Sequence, residues 1–159
     1  MIKIVNYLDR SYELQLESFK WRTSSQVDKY FQLHDLTIEG HKKWLNGLTL
    51  DSPRTIAFFI EFDGRPVGAT FFQSIDWVSR ECEWGIYIYD VTMRGKGIGT
   101  EALLQCLDFA CDTMRMKRIY LEVLSNNDVA QKIYESAGFT FLKQKSDTVK
   151  IYIKELSHV

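Results

Sequence analysis

The sequence predicts an α+β fold: a mixed, mostly antiparallel sheet flanked by helices on both faces. Three observations carry that expectation. The spacing of apolar residues is helical before Arg54 and alternating after it. Three strand-like segments then follow one another through short connections, which implies an antiparallel meander. Beyond them a glycine-rich turn opens a long amphipathic run, and helix-like and strand-like segments alternate to the end of the chain. The chain, residues 1–159, suits a single domain with room for a substantial core.

Taken in order, residues 2–7 alternate and are β-branched, a first strand. Asp9 or Ser11 can cap a helix whose apolar side holds Leu14, Leu16, Phe19 and Trp21. Residues 27–33 read as a short irregular helix or turn. Thr37 caps a helix reaching about Leu48, with Ile38, His41, Trp44, Leu45 and Leu48 at helical spacing. The meander strands are 55–62, 67–77 and 81–89, and Asp63-Gly64-Arg65-Pro66 closes the first hairpin. The helix after the glycine turn lines up Leu103, Leu107, Ala110 and Met114 along one face. A strand at 118–124 and a helix from 126–128 to Ala137 follow. Asn127 caps nothing obvious by itself, and Gly138 sits where a left-handed helix stop is expected. Residues 139–142 and 148–156 make a last pair of strands.

Bulk composition excludes several classes. A net charge of −1 argues against a broad nucleic-acid or anionic-membrane surface, which needs excess Lys and Arg. Cys82, Cys106 and Cys111 show no C-x-x-C spacing, which fits free thiols and a cytoplasmic location. With three His and no Cys/His cluster, no metal site is expected. The N-terminus lacks the apolar core of a signal peptide, and no stretch approaches a membrane span.

The most informative stretch is Arg94-Gly95-Lys96-Gly97-Ile98-Gly99-Thr100. Glycines at alternate positions remove the side chains that would keep a bulky anion from the backbone. A helix starting there aims free N–H groups and its positive dipole end at the turn, while Arg94 and Lys96 add mobile positive charge. This is a seat for a phosphate or pyrophosphate. A Rossmann turn would need G-x-G-x-x-G after the first strand of a βαβ unit, and a P-loop would place Lys96 at the other end. Arg94, Gly97 and Gly99 fit Arg-x-x-Gly-x-Gly instead. The plain alternative is a glycine-rich turn without a ligand.

Farther on stands Asn127-x-x-Ala130-x-x-Ile133-Tyr134-x-x-x-Gly138-Phe139. Neither motif is specific alone. Together, in this order and among these strands, they resemble the GNAT superfamily of acetyl-CoA-dependent N-acetyltransferases over residues 55–141. The resemblance implies acetyl-CoA as co-substrate, its pyrophosphate on the backbone N–H groups of the 94–100 turn. It also implies that the strand before the turn splays from its neighbour and pairs with the pantetheine at Ile88, Tyr89 and Val91. Asn127 and Tyr134 then lie beside the pantetheine and the thioester sulfur.

Amine acetylation needs a group to take the amine's proton and a donor for the leaving sulfur. A phenol, with an ordinary pKa of about 10, can be that donor when held close, and Tyr134 is the candidate. Its alternative is a core aromatic in register with Ala130 and Ala137. For the base there are two candidates. Glu122 interrupts the apolar run between Leu121 and Val123, which is costly unless it faces a wet cleft, and Glu83 begins the strand leading to the turn. Either could instead be a solvated edge residue or half of a salt bridge.

The N-terminal half is left to bind the acceptor. Phe19-Lys20-Trp21-Arg22, the later His41 and Trp44-Leu45 resemble one branch of the superfamily, the UDP-amino-sugar N-acetyltransferases of pseudaminic acid biosynthesis. That resemblance implies a UDP-linked 4-amino-4,6-dideoxy-hexosamine as acceptor, with Arg22 and His41 on the diphosphate and Tyr87 on the substrate side. Trp21, Tyr30 or Phe31 could stack on the uracil, and Arg22 could clamp phosphate. The sequence departs from the branch after Arg22, where Thr23-Ser24-Ser25 replaces an Asn-His-Pro-like run. Without the resemblance, Arg22 is a surface charge and His41 a half-buried helix polar. Rival acceptors are a ribosomal-protein N-terminus, a polyamine or an aminoglycoside. The cationic ones want carboxylates, whereas residues 19–48 offer Lys20, Arg22, Lys29, His41, Lys42 and Lys43 against Asp28, Asp35 and Glu39. A silent acetyl-CoA sensor is the rival of another class. The expected state is a monomer or a homodimer.

Overall fold

Alternation in β2 sets the two layers of the protein. Phe58 and Phe59 point to opposite faces, and each anchors a separate apolar cluster. The computed structural model describes residues 1–28 and 36–156. Its strands are β1 (Ile2–Asn6), β2 (Ile56–Phe62), β3 (Arg65–Asp76), β4 (Glu81–Ile88), β5 (Arg118–Leu124), β6 (Thr140–Ser146) and β7 (Val149–Glu155). Its helices are α1 (Tyr12–Arg22), α2 (Ser25–Asp28), α3 (Ile38–Asn46), α4 (Ile98–Asp112) and α5 (Asp128–Ser136). The seven strands form one sheet in the order β1-β2-β3-β4-β5-β7-β6.

On one face, Trp21 of α1 and Leu45 of α3 pack with Tyr7 and Phe59, whose rings stack at 3.8 Å. On the other, Leu103, Cys106 and Ala110 of α4 pack with Phe58, Phe72, Trp84, Ile119 and Leu121, and α5 covers the same cluster through Ile133 and Tyr134. Each of these large side chains contributes about 1.5–3 kcal/mol on burial. The caps expected at Ser11 and Thr37 form, accepting from the Leu14 and Gly40 N–H groups.

The ladder is antiparallel except between β4 and β5, which run parallel and pair only at Glu81–Trp84 with Arg118–Leu121. Beyond that point β4 continues to Ile88 while Glu122, Val123 and Leu124 stay paired with β7. The two strands therefore part, as the splayed geometry requires. Arg118 ties the closed end, bonding Glu81 and Glu155 at 2.8 Å each.

Three details differ from the sequence expectation. The strand expected at 139–142 runs on to Ser146, and every residue of it is exposed, so it carries no alternating pattern to read. The helix expected at 27–33 is described only as far as Asp28, with its remainder, including Tyr30 and Phe31, outside the described residues. Asn127 does cap α5, its side-chain oxygen accepting from Ala130 N–H at 3.1 Å.

The turn from β5 into α5 hangs on Gln131, which is buried. Its Nε2 donates to the Leu124 and Ser125 carbonyls at 3.0 and 3.1 Å, and its Oε1 accepts from Lys150 Nζ at 3.0 Å. Gln131→Ala leaves these groups unpaired and should lower stability by about 1–3 kcal/mol, measured by urea unfolding. An unchanged midpoint would show that the turn holds without it.

Candidate active site

The 94–100 turn has the geometry of an anion seat. Gly97 is the N-cap of α4 at φ 78°, and no side chain caps this end among the described residues. The first α4 N–H to find a helical carbonyl is that of Glu101, on Gly97 at 3.0 Å, so the N–H groups of Ile98, Gly99 and Thr100 precede the ladder. A side chain at Gly95, Gly97 or Gly99 would meet no protein atom within 4 Å. Gly95 and Gly97 need their left-handed backbone. Gly99 needs neither that nor room for protein, although glycine within a helix costs about 0.5–1 kcal/mol against alanine. The space above its backbone is open. Lys96 is exposed beside it. Arg94 is not the mobile charge expected: its Nε and Nη2 donate to the Ile88 carbonyl at 3.1 and 2.8 Å, fastening the turn to the end of β4.

The open edge of β4 is shifted from the expected residues. Tyr89 N–H donates to the Val67 carbonyl at 3.0 Å, so alternation turns the backbone of Tyr87 and Tyr89 toward β3 and that of Ile86 and Ile88 toward the gap. Tyr89 packs its ring on Trp21, 4.4 Å between centroids, and donates its hydroxyl to the Pro66 carbonyl. Val91 opens a short 3-10 turn, Val91–Met93, beyond the strand.

A cleft of about 800 Å³ lies at the gap, lined from both faces of the sheet. It brings together Tyr134 and Asn127 of α5, Glu83 and Tyr87 of β4, Glu122 of β5, Arg22 of α1 and His41 of α3. Trp21 is not among its lining residues: it is buried between Tyr89 and Phe59. Phe19 and Trp44 line the acceptor half instead. Gly85 lies on the wall below Phe71, where any side chain would come within 2.5 Å of that ring.

The Tyr134 ring meets Trp84 edge-on at 5.9 Å, and burial pushes its phenol up to about 12, so it keeps its proton at neutral pH. Glu122 faces the cleft with its side chain 23% exposed, opposite in direction to Leu121 and Val123, and forms a close ion pair with Lys145. Glu83 lines the same cleft as Glu122 and Gln73. Burial first, then the Glu122 charge, holds its carboxyl above the usual range.

On the acceptor side, Tyr7, Ser18 and Tyr87 line the cleft, and burial holds both phenols well above their ordinary value. His41 Nε2 donates to the Gln15 carbonyl at 2.9 Å, and burial lowers its pKa, which leaves it neutral above pH 6.5. Arg22 lines this half of the cleft, half-buried. Sequence reasoning did not pick out Ile86, Gln73 or Lys145. Ile86 follows from strand alternation, but nothing near Lys145 in sequence points to Glu122.

Comparison with known proteins agrees with this geometry. A family model described as an acetyltransferase (GNAT) domain matches residues 10–140. The chain is 26% identical over 157 residues to acetyltransferase PseH of Campylobacter jejuni, covering 98% of this chain and 95% of that protein. The crystal structure of Campylobacter jejuni N-acetyltransferase PseH in complex with acetyl coenzyme A matches with a TM-score of 0.74 at 22% identity, over 99% of this chain and 100% of that one. Spermidine N-acetyltransferase from Vibrio cholerae, in complex with CoA and spermine, matches with a TM-score of 0.84 at 18% identity, over 97% and 95%. The glycine turn, the parted strands and the matched family together place this chain in the GNAT family, as an acetyl-CoA-dependent N-acetyltransferase.

Proposed function

We propose that this acetyltransferase acts on the 4-amino group of a UDP-linked 4-amino-4,6-dideoxy-hexosamine. The observation that carries the reading is Arg22, a fixed positive charge on the acceptor side of the cleft that also holds Tyr134 and the carboxylates. A nucleotide sugar brings a diphosphate that a guanidinium can grip in a two-pronged way. Phe19 and Trp44 offer flat apolar faces to a base or a sugar ring, and the Tyr87 hydroxyl offers a polar tip.

Acetyl-CoA supplies the activated acetyl group as a thioester. In this reading the N–H groups of Ile98, Gly99 and Thr100 hold its diphosphate. The outward N–H groups of Ile86 and Ile88, with the Ile86 carbonyl, hold its arm as an added strand, with Asn127 beside it. A cleft carboxylate, Glu83 or Glu122, takes the proton released by the attacking amine. Tyr134, neutral and half-buried, gives a proton to the departing sulfur. His41 serves as a neutral hydrogen-bonding group, because its Nε2 proton is committed to Gln15.

A second reading, a polyamine acceptor, is favoured by the TM-score of 0.84 to the Vibrio cholerae spermidine enzyme and by two carboxylates in the cleft. Against it, Lys145 already occupies Glu122, and a polyamine needs several unpaired anions.

An acetyl-CoA turnover panel of UDP-4-amino-sugar, spermidine and peptide N-termini should show turnover of the sugar above the others. Turnover of spermidine alone would replace the proposal by the second reading. Tyr134→Phe should lower kcat by about 10²-fold or more with little change in the acetyl-CoA KM, and an intact rate would remove Tyr134 as the proton donor. The folded pKa of His41 lies below its unfolded value, so the unfolded chain takes up that proton first. Its share of stability is therefore present above about pH 6.5 and lost as pH falls through the folded value. An NMR titration of His41 should show a midpoint below about 6.5; one above it would make His41 a cation for the acceptor.

A further inference from the structure

The two cleft carboxylates have a third partner that the reading above leaves without a task. Lys145 belongs to β6, the outer strand, with β7 between it and the strand that carries Glu122. The β6–β7 register slips at this point: Gln144 faces Lys150 and Ser146 faces Val149, so β6 advances two residues while β7 advances one. Lys145 is the extra residue of that irregularity. Such a bulge re-aims a side chain that regular pairing would fix in the alternating pattern. Here its Nζ forms a close ion pair with Glu122 Oε1.

The charges around the pair come from every neighbouring element. Glu122 on β5 and Lys145 on β6 face Glu83 directly. Arg22 from α1, His41 from α3 and Tyr134 from α5 line the same cleft, the last two neutral at pH 7. A carboxylate facing a second carboxylate is harder to ionise, and a cation beside them offsets that repulsion. The ammonium is placed on Glu122, and Gln73 is placed on Glu83.

We propose that Lys145 is a positioning residue: its ammonium engages Glu122 in an ion pair and so leaves Glu83 as the group that takes the amine's proton. The inference deepens the proposed mechanism and rests on a carboxylate acting as base, not on the identity of the acceptor. As the N–C bond forms and the C–S bond breaks, the Glu83 carboxylate takes one proton from nitrogen and Tyr134 gives one to sulfur. Glu83 then loses its proton to solvent and Tyr134 regains one, so the net transfer is one proton from nitrogen to sulfur.

The test is the pH profile of kcat/KM, run with whichever amine the panel shows to be turned over. Failure of the sugar reading therefore leaves this test intact. Glu83→Gln should lower kcat by about 10²-fold or more and abolish the acidic limb. Lys145→Met should move that limb up by about 0.5–1 pH unit, because the repulsion between the carboxylates is then no longer offset, and Lys145→Arg should restore it. In a Glu122→Gln background, Lys145→Met should move the limb by less, because only the direct Lys145–Glu83 attraction is then lost. A Lys145→Met enzyme slowed equally at every pH with its limb in place would make Lys145 merely structural. A limb that persists in Glu83→Gln would assign the base elsewhere. Either result overturns the proposal.

Discussion

The structure depends on how far β4 and β5 stay together. They are parallel neighbours for four residue pairs, Glu81–Trp84 against Arg118–Leu121, and then diverge. Had the pairing continued, Ile86 and Ile88 would spend their backbone groups on β5 and the cleft would close. The divergence is held from both ends. Arg118 pins β4, β5 and β7 at the closed end, and at the open end Arg94 fastens the glycine turn to the Ile88 carbonyl. Through the gap, one cleft reaches the α5 face with Tyr134 and the α1/α3 face with Arg22 and His41.

Much of this was legible because the signals were local. A strand, a run of alternate glycines and an amphipathic helix announce an anion seat within a few residues, and the Asn127 to Phe139 pattern marks the next helix. The meander followed from period-two segments joined by short turns. The helix caps followed from single Ser and Thr residues. Glu122 was legible because a charge between Leu121 and Val123 is costly inside a sheet and cheap only at a cleft wall.

What stayed hidden depends on contacts distant in sequence. Trp21 reads as a candidate stacking platform, yet Tyr89 already covers its face. His41 reads as a phosphate partner, yet the Gln15 carbonyl holds its Nε2 proton. Arg94 sits in the glycine motif but turns back to the strand it follows. The insertion of β7 between β5 and β6 has no local signature, because β6 is exposed throughout and shows no alternation. Lys145 is the sharpest case: it reaches Glu122 only because that sheet order and one register slip bring it there.

In the proposed reading the gap-facing edge of β4 stays open until acetyl-CoA fills it. Backbone amide hydrogen exchange, read residue by residue with and without acetyl-CoA, tests it most directly. The Tyr89 amide, bonded to Val67, should be protected in both states. The Ile86 and Ile88 amides should exchange readily alone and slow by about tenfold or more when acetyl-CoA is bound. Protection of Ile86 and Ile88 that is already present without acetyl-CoA, or unchanged by it, would contradict the account.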